Sequence, residues 1–153
     1  DAIAGDPGLS GMGTTLTAVL WAGDQVGLAQ LGDSRAYLMR GGELSQLTKD
    51  QTLVQSLVDE GQITPEEALV HPRRSWILRA LDGRCEAEPD VQMLTPVTGD
   101  RYLLCSDGLV DGLYDRQLVE ILHADDHSAQ ALVEVSVKNS GRDNTTALVV
   151  QIA

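Results

Sequence analysis

The stretch TTLTAVLWAGDQVGLAQLGDSRAYLMRGGELSQLT, residues 14–48, decides the fold. Residues 14–21 are β-branched and apolar. A second such run over 25–31 follows Ala22-Gly23-Asp24, so the pair reads as a hairpin. Residues 35–40 read as a third strand, turned by Gly41-Gly42 into a fourth over 43–48. Four strands joined by short turns predict an antiparallel sheet.

Working outward, residues 1–13 are rich in small residues and read as a loop ending in Gly11-Met12-Gly13. This triplet resembles a phosphate loop only loosely, because no lysine follows it and a strand comes next. Downstream, Leu53, Val54, Leu57 and Val58 stand at helical spacing within 51–60, with Gly61 placed to end the helix. Thr64-Pro65-Glu66-Glu67 carries a cap, a proline at the first helical position and a capping box. A further helix is expected over 73–81. This charged, helical stretch separates two groups of strands and reads as an insertion lying over the sheet. Beyond it come a strongly apolar strand over 101–106, helices over 115–122 and 128–139 opened by Asp115 and Ser128, and a closing strand over 145–152. The order describes an α+β layered fold.

The 153 residues are one domain's worth of chain. Aromatic residues are 3% and phenylalanine is absent, so the core must rest on Leu, Val, Ile and Ala. The net charge of −12 excludes a nucleic-acid surface, which needs a basic face. No apolar run is long enough to cross a bilayer, and the segment is expected to make no membrane contact. Cys85 and Cys105 lack metal-ligand spacing, and Cys105 lies in an apolar run, which predicts a buried free thiol and a cytoplasmic setting. The chain starts at Asp1 rather than Met, which suggests part of something longer, including the cytosolic part of a membrane-anchored protein.

Three acidic signatures carry the chemistry: Gly32-Asp33-Ser34-Arg35, Ser106-Asp107-Gly108 and Gly141-Arg142-Asp143-Asn144. The first two directly follow runs that read as buried strands, and Asp143 stands just before the last one. Carboxylates crowded at strand ends repel one another unless a cation sits between them. Hard divalent ions such as Mg²⁺ and Mn²⁺ prefer such oxygen ligands. Gly108 is expected to let the chain turn sharply, and Asn144 to hold the Asp143 carboxylate. A single Asp-Gly or Asp-Asn pair is ordinary turn chemistry, and the weight lies in three together. Arg35 is read as a salt-bridge partner of Asp33 ahead of a phosphate ligand. Ser34 has neither a nearby histidine nor a Gly-x-Ser-x-Gly elbow. His123 and His127 stand four apart, but the intervening Asp125 and Asp126 read as a helix end, which disfavours a zinc pair. Arg73-Arg74 reads as a solvated helix end before an acidic or phosphorylated docking site.

In this order the signatures resemble the metal-dependent serine/threonine protein phosphatases of type 2C (the PPM family), bacterial branch. The motifs are Gly11-Met12-Gly13-Thr14-Thr15, Leu31-Gly32-Asp33-Ser34-Arg35, Leu104-Cys105-Ser106-Asp107-Gly108-Leu109 and Gly141-Arg142-Asp143-Asn144-Thr145-Thr146. The resemblance implies an αββα sandwich of two antiparallel sheets flanked by helices, formed by a single, N-terminally incomplete domain over 1–153. Residues 50–90 would be its flap. It implies Asp107 and Asp143 as catalytic metal ligands, Asp33 with Asp107 holding a third ion, and Ser75 approaching that ion from the flap. The cofactors would be two to three Mn²⁺ or Mg²⁺ ions. The reaction would be hydrolysis of phosphoserine or phosphothreonine in proteins by a metal-activated water, opposing bacterial Ser/Thr kinases.

One departure bears on activity. The family's Asp-Gly-x-Gly-Gly motif, whose aspartate bridges both metals, occurs nowhere in the chain, and neither does the N-terminal portion that carries it with an arginine for the substrate phosphate. The expectation is therefore a C-terminal fragment with an incomplete site. The alternative is a non-catalytic phosphatase-like module that binds a kinase or regulator. A haloacid-dehalogenase reading of Asp107-Gly108-Leu109-Val110-Asp111 requires a nucleophilic aspartate where Cys105 stands, and a parallel sheet.

Overall fold

The computed structural model describes residues 5–83, 87–124 and 128–153. Cys85 and His127 lie outside them. The described residues form strands β1 (Leu16–Ala22), β2 (Gln25–Leu31), β3 (Arg35–Arg40), β4 (Glu43–Gln46), β5 (Asp90–Leu94), β6 (Arg101–Cys105) and β7 (Ala147–Gln151). The helices are α1 (Leu53–Asp59), α2 (Pro65–Leu69), α3 (Asp107–Gly112), α4 (Asp115–Ala124) and α5 (Ser128–Asn139).

The strands make two antiparallel sheets, ordered β1-β2-β5 and β4-β3-β6-β7. This corrects the continuous four-strand sheet expected over 14–48. Both hairpins form, the second through Gly41 and Gly42 at φ +59° and +90°, the pair of positive angles that a two-residue hairpin turn requires. Between them, however, the chain crosses from one sheet to the other at Gly32-Asp33-Ser34. The remaining partners of β2 and β3 come from the distant strands β5 and β6, and nothing local in the sequence announces that pairing. The antiparallel arrangement also removes the haloacid-dehalogenase reading.

The sheets stack face to face. Val26 and Leu28 point inward from β2, and Trp21 of β1 packs edge-on against Tyr102 of β6, with ring centroids 5.9 Å apart. The other face of the second sheet buries Tyr37, Met39, Leu103 and Cys105 against Leu109, Leu118, Leu122 and Leu132 of α3, α4 and α5. Cys105 is a buried free thiol, as its apolar run predicts, and burial pushes it up to about 12.

Local signals around α1 and α2 act as read. Gly61, at φ +69°, follows the Glu60 cap. Its N–H donates to Val58 O and that of Gln62 to Leu57 O, so the last carbonyls of α1 are satisfied. The Thr64–Glu67 capping box opens α2. The helix expected over 73–81 does not form. Leu53 N–H donates to Trp76 O and Leu78 N–H to Gln51 O, while Thr14 and Leu81 exchange two bonds. Extended pairing of the β-formers Trp76 and Ile77 with earlier segments overrides the local periodicity.

Asp100, buried beside β6, accepts from Arg40 Nε and Nη2 at 2.7 and 2.6 Å and from Val97 N–H at 2.8 Å. The Arg40 guanidinium holds this carboxyl below its ordinary 3.8. The folded state therefore favours the ionised form. Its contribution is complete well above 3.8 and is lost as pH falls from there through the lower folded value. Asp100→Asn is expected to destabilise by about 2 kcal/mol near neutrality. The stability gap between variant and wild type in urea unfolding should narrow as pH falls below 3.8 and close beneath the lower folded value, and a gap that stayed constant in acid would contradict the charge-based account.

Candidate metal centre

Asp33 is delivered by a turn held from three sides. Gly32 sits at φ +99°, and a Cβ there would lie 2.3 Å from Thr15 Cγ2. Its N–H donates to Gln51 Oε1 at 2.7 Å, while its carbonyl accepts from Gln51 N–H and Gln30 Nε2, each at 3.0 Å. Gln30, almost fully buried, also donates to Lys49 O. Neither glutamine stood out in the sequence. Both tie the strand junction to the start of the helical insertion, where Asp50 lies.

Arg35 corrects its expected role. It clamps Asp50, not Asp33, with Nε 2.9 Å from Oδ1 and Nη2 2.7 Å from Oδ2, and it donates to Tyr37 OH. A bidentate clamp commits that guanidinium elsewhere. Asp33 therefore stays poorly compensated. Burial and the nearby carboxylates of Asp107 and Asp50 raise it from 3.8 to about 6.

Asp107 opens α3, where the sequence reading placed a sharp turn. Gly108 is helical, and a Cβ there would stand 2.4 Å from Asn144 O. The glycine admits the neighbouring loop's backbone, not a ligand. Ser106 fastens that loop: its N–H donates to Thr146 O, its hydroxyl donates to Asn144 O, and Thr146 N–H donates back to the hydroxyl. Asn144 holds Asp143 through its backbone N–H at 2.7 Å, where the sequence suggested its side chain. Asp107 is raised by burial first, then by Asp143 and Asp111.

Asp33, Asp107 and Ser75 line one cleft of about 320 Å³, together with the polar Arg35, Asp50, Arg74 and Asp111 and the apolar Val54, Val58, Leu69 and Val110. Arg74 reaches Asp111 at 3.4 Å, joining the segment after α2 to α3. Asp143 stands on the exposed loop beside α3, outside the cleft lining. The donor chemistry fits a hard divalent cation, since crowded oxygen ligands retain protons until a cation relieves their repulsion. The number of donors falls short. Among the described residues no three His, Cys, Asp or Glu side chains gather closely enough to hold a metal ion.

Comparisons with known proteins agree with this architecture. The serine/threonine protein phosphatase PstP of Mycobacterium tuberculosis is 54% identical over 149 residues, covering 96% of this chain and 29% of the relative. The serine/threonine phosphatase stp of Listeria monocytogenes is 42% identical over 146 residues, covering 94% of this chain and 58% of the relative. The crystal structure of the M. tuberculosis phosphatase PstP/Ppp superposes with a TM-score of 0.94 at 52% identity, over 99% of this chain and 65% of that one. The PstP catalytic domain in complex with two manganese ions superposes at 0.91 with 49% identity, over 99% and 64%. The chain thus spans less than two thirds of the relatives it matches. A sequence profile described as Protein phosphatase 2C matches residues 2–140. The chain belongs to the protein phosphatase 2C family.

Proposed function

We propose that this chain supplies part of the active centre of a protein-serine/threonine phosphatase. That centre works with Mn²⁺ or Mg²⁺, two to three ions when complete, on phosphoserine and phosphothreonine proteins. The supporting observation is the cleft in which burial and the Asp107 carboxylate raise Asp33 and which Ser75 enters from residues 50–90, the candidate flap. Asp107 and Asp143 are the candidate ligands of the main centre, and Asp33 with Asp107 those of a further ion that Ser75 approaches. A bound divalent cation would supply an acidified water and neutralise charge gathering on the phosphoryl oxygens. The protein's own part is positional. Gln30 and Gln51 hold the Asp33 turn, Ser106 holds the loop of Asp143 against α3, and Arg35 keeps Asp50 occupied. Signalling opposite a bacterial kinase, in the cytoplasm and within a single domain over 1–153, completes the reading. Among the described residues no helix is long and apolar enough to cross a membrane.

A second reading, a non-catalytic module binding a kinase or regulator, is favoured by the shortage of donors among the described residues. Hydrolysis of a phosphothreonine peptide with Mn²⁺, with and without chelator, separates the two. The assay uses the chain alone and the chain joined at Asp1 to the part of the M. tuberculosis catalytic domain that it does not match. The expected result is chelator-sensitive turnover in the joined protein, with little or none in the chain alone. No turnover in either, with Mn²⁺ still bound, would establish the binding module. In the joined protein, Asp33→Ala is expected to lower turnover about 10- to 100-fold while most Mn²⁺ stays bound. Loss of all bound metal would contradict a supporting role for Asp33.

A further inference from the structure

The cleft of Asp33 and Asp107 adjoins a second cavity of about 310 Å³. Val110 and Asp111 of α3 line both, and the second continues past the end of that helix to Tyr114, Gln117 and Asn139. Its frame is fixed by hydrogen bonds. Tyr114 N–H donates to Gln117 Oε1 at 3.1 Å, the Tyr114 carbonyl accepts from the N–H groups of Gln117 and Leu118, and Asn139 Nδ2 donates to Gly112 O. The Tyr114 backbone is thus held at the start of α4, while its side chain stands 82% exposed. The other tyrosines, Tyr37 and Tyr102, are buried. Among the described residues no Lys, Arg or His lines this cavity. Asp111 does, and Asp115 follows the Tyr114 ring directly in the chain. Arg74 meets Asp111 Oδ2 at 3.4 Å, a long contact between two exposed side chains that leaves the carboxylate open to a further cation.

We infer that this second cavity is a specificity subsite for an arginine side chain of the phosphoprotein substrate, lying a short way along the chain from the phosphorylated serine or threonine. The chemistry matches a guanidinium. Its plane stacks on an aromatic face, its N–H groups pair with a carboxylate, and its alkyl stem lies along an apolar wall such as Val110. The charge matches as well, since the cavity presents carboxylate without a lining cation, in a chain of net charge −12. The spacing follows from α3, which opens with Asp107 at the candidate metal centre and ends at Gly112 beside the cavity. Six helical residues rise roughly 9 Å, and an extended peptide advances about 3.3 Å per residue. The arginine therefore stands roughly two or three residues from the phosphorylated one. The inference rests on the phosphatase reading above and names the kind of sequence that its site selects.

The test measures hydrolysis of phosphothreonine peptides by the joined protein with Mn²⁺. The peptides are alanine apart from the phosphothreonine and a single arginine placed at each position in turn. At the stated spacing on one side, kcat/KM should rise about 10-fold over the all-alanine peptide, with the change in KM. Citrulline at that position keeps the shape, loses the charge and should lose the gain. Tyr114→Phe should retain the arginine preference, because the ring face remains, and Tyr114→Ala should abolish it. The alanine variant should melt with the unaltered protein, since the backbone bonds of Tyr114 need no ring. An undiminished preference in Tyr114→Ala would overturn the inference, as would an equal gain from citrulline or no dependence on position. Para-nitrophenyl phosphate, which has no flanking residues, reports separately on the underlying reading in the unaltered joined protein. Its hydrolysis without any arginine preference among the peptides would sink the subsite alone. No hydrolysis of it or of any peptide would sink both.

Discussion

Asp107→Asn is expected to reduce phosphothreonine hydrolysis by the joined protein about 10³-fold while leaving the fold at least as stable as before. The two effects have opposite signs for one reason. The carboxylate of Asp107 is half-buried near Asp143 and Asp111 and in turn raises Asp33, so its charge is a liability in the unliganded fold. Its hydrogen bond accepts from the Gly108 N–H at 2.8 Å, and an asparagine oxygen can take that over. Removing the charge relieves repulsion without creating a cavity. A divalent ion held there would lose a charged ligand, however, and with it several kcal/mol of charge stabilisation, each 1.36 kcal/mol being tenfold in rate. The paired measurement is turnover beside melting temperature. Near-normal turnover would falsify the assignment of Asp107. A loss of activity matched by a large fall in melting temperature would reduce Asp107 to a structural residue.

Gly112→Ala is expected to destabilise the protein by about 2 kcal/mol or more, despite the better helix propensity of alanine. A Cβ on Gly112 would lie 2.5 Å from both the carbonyl and hydroxyl oxygens of Ser136 and 2.8 Å from its Cα. These are mainly backbone atoms of α5, so the helix itself would have to move. Propensity returns about 1 kcal/mol, whereas overpacking costs about 1–3 kcal/mol and occasionally more. The contact is also polar. Ser136 donates to the carbonyls of Gly108 and Leu109, and Asn139 Nδ2 donates to Gly112 O at 2.9 Å. Side chains of α5 thus satisfy carbonyl groups of the six-residue α3, and displacing α5 would strip those bonds as well. At this chain length 2 kcal/mol corresponds to roughly 4–8 °C in melting temperature. An unchanged or raised melting temperature would show that α3 and α5 are looser than drawn. Because α3 opens with Asp107, the same substitution should also lower Mn²⁺ affinity in the joined protein.

Much of the local structure was legible in the sequence because its causes are local. The Gly41-Gly42 turn, the Gly61 stop and the Thr64–Glu67 box depend on residues within a few positions of one another, and each forms as the chemistry dictates. The missed elements depend on distant partners. Strand β5 is short and matters because β2 lacks a second neighbour. The 73–81 segment has helical spacing but finds backbone partners before α1 and at Thr14.

The candidate centre divides along the same line. The sequence by itself determined which groups are available: three aspartates beside glycines, placed after or before strands, together with the order that identifies the family. Tertiary structure alone decided which of them share a space. It puts Asp33 and Asp107 in one cleft with Ser75, places Asp143 on the loop beside it, and hands Arg35 to Asp50 in place of Asp33. The physical reason is range. Turn and cap preferences act through a few bonds of chain, whereas repulsion between carboxylates, the reach of a guanidinium and the burial that raises Asp33 act through space, and only the packed sheets set those distances.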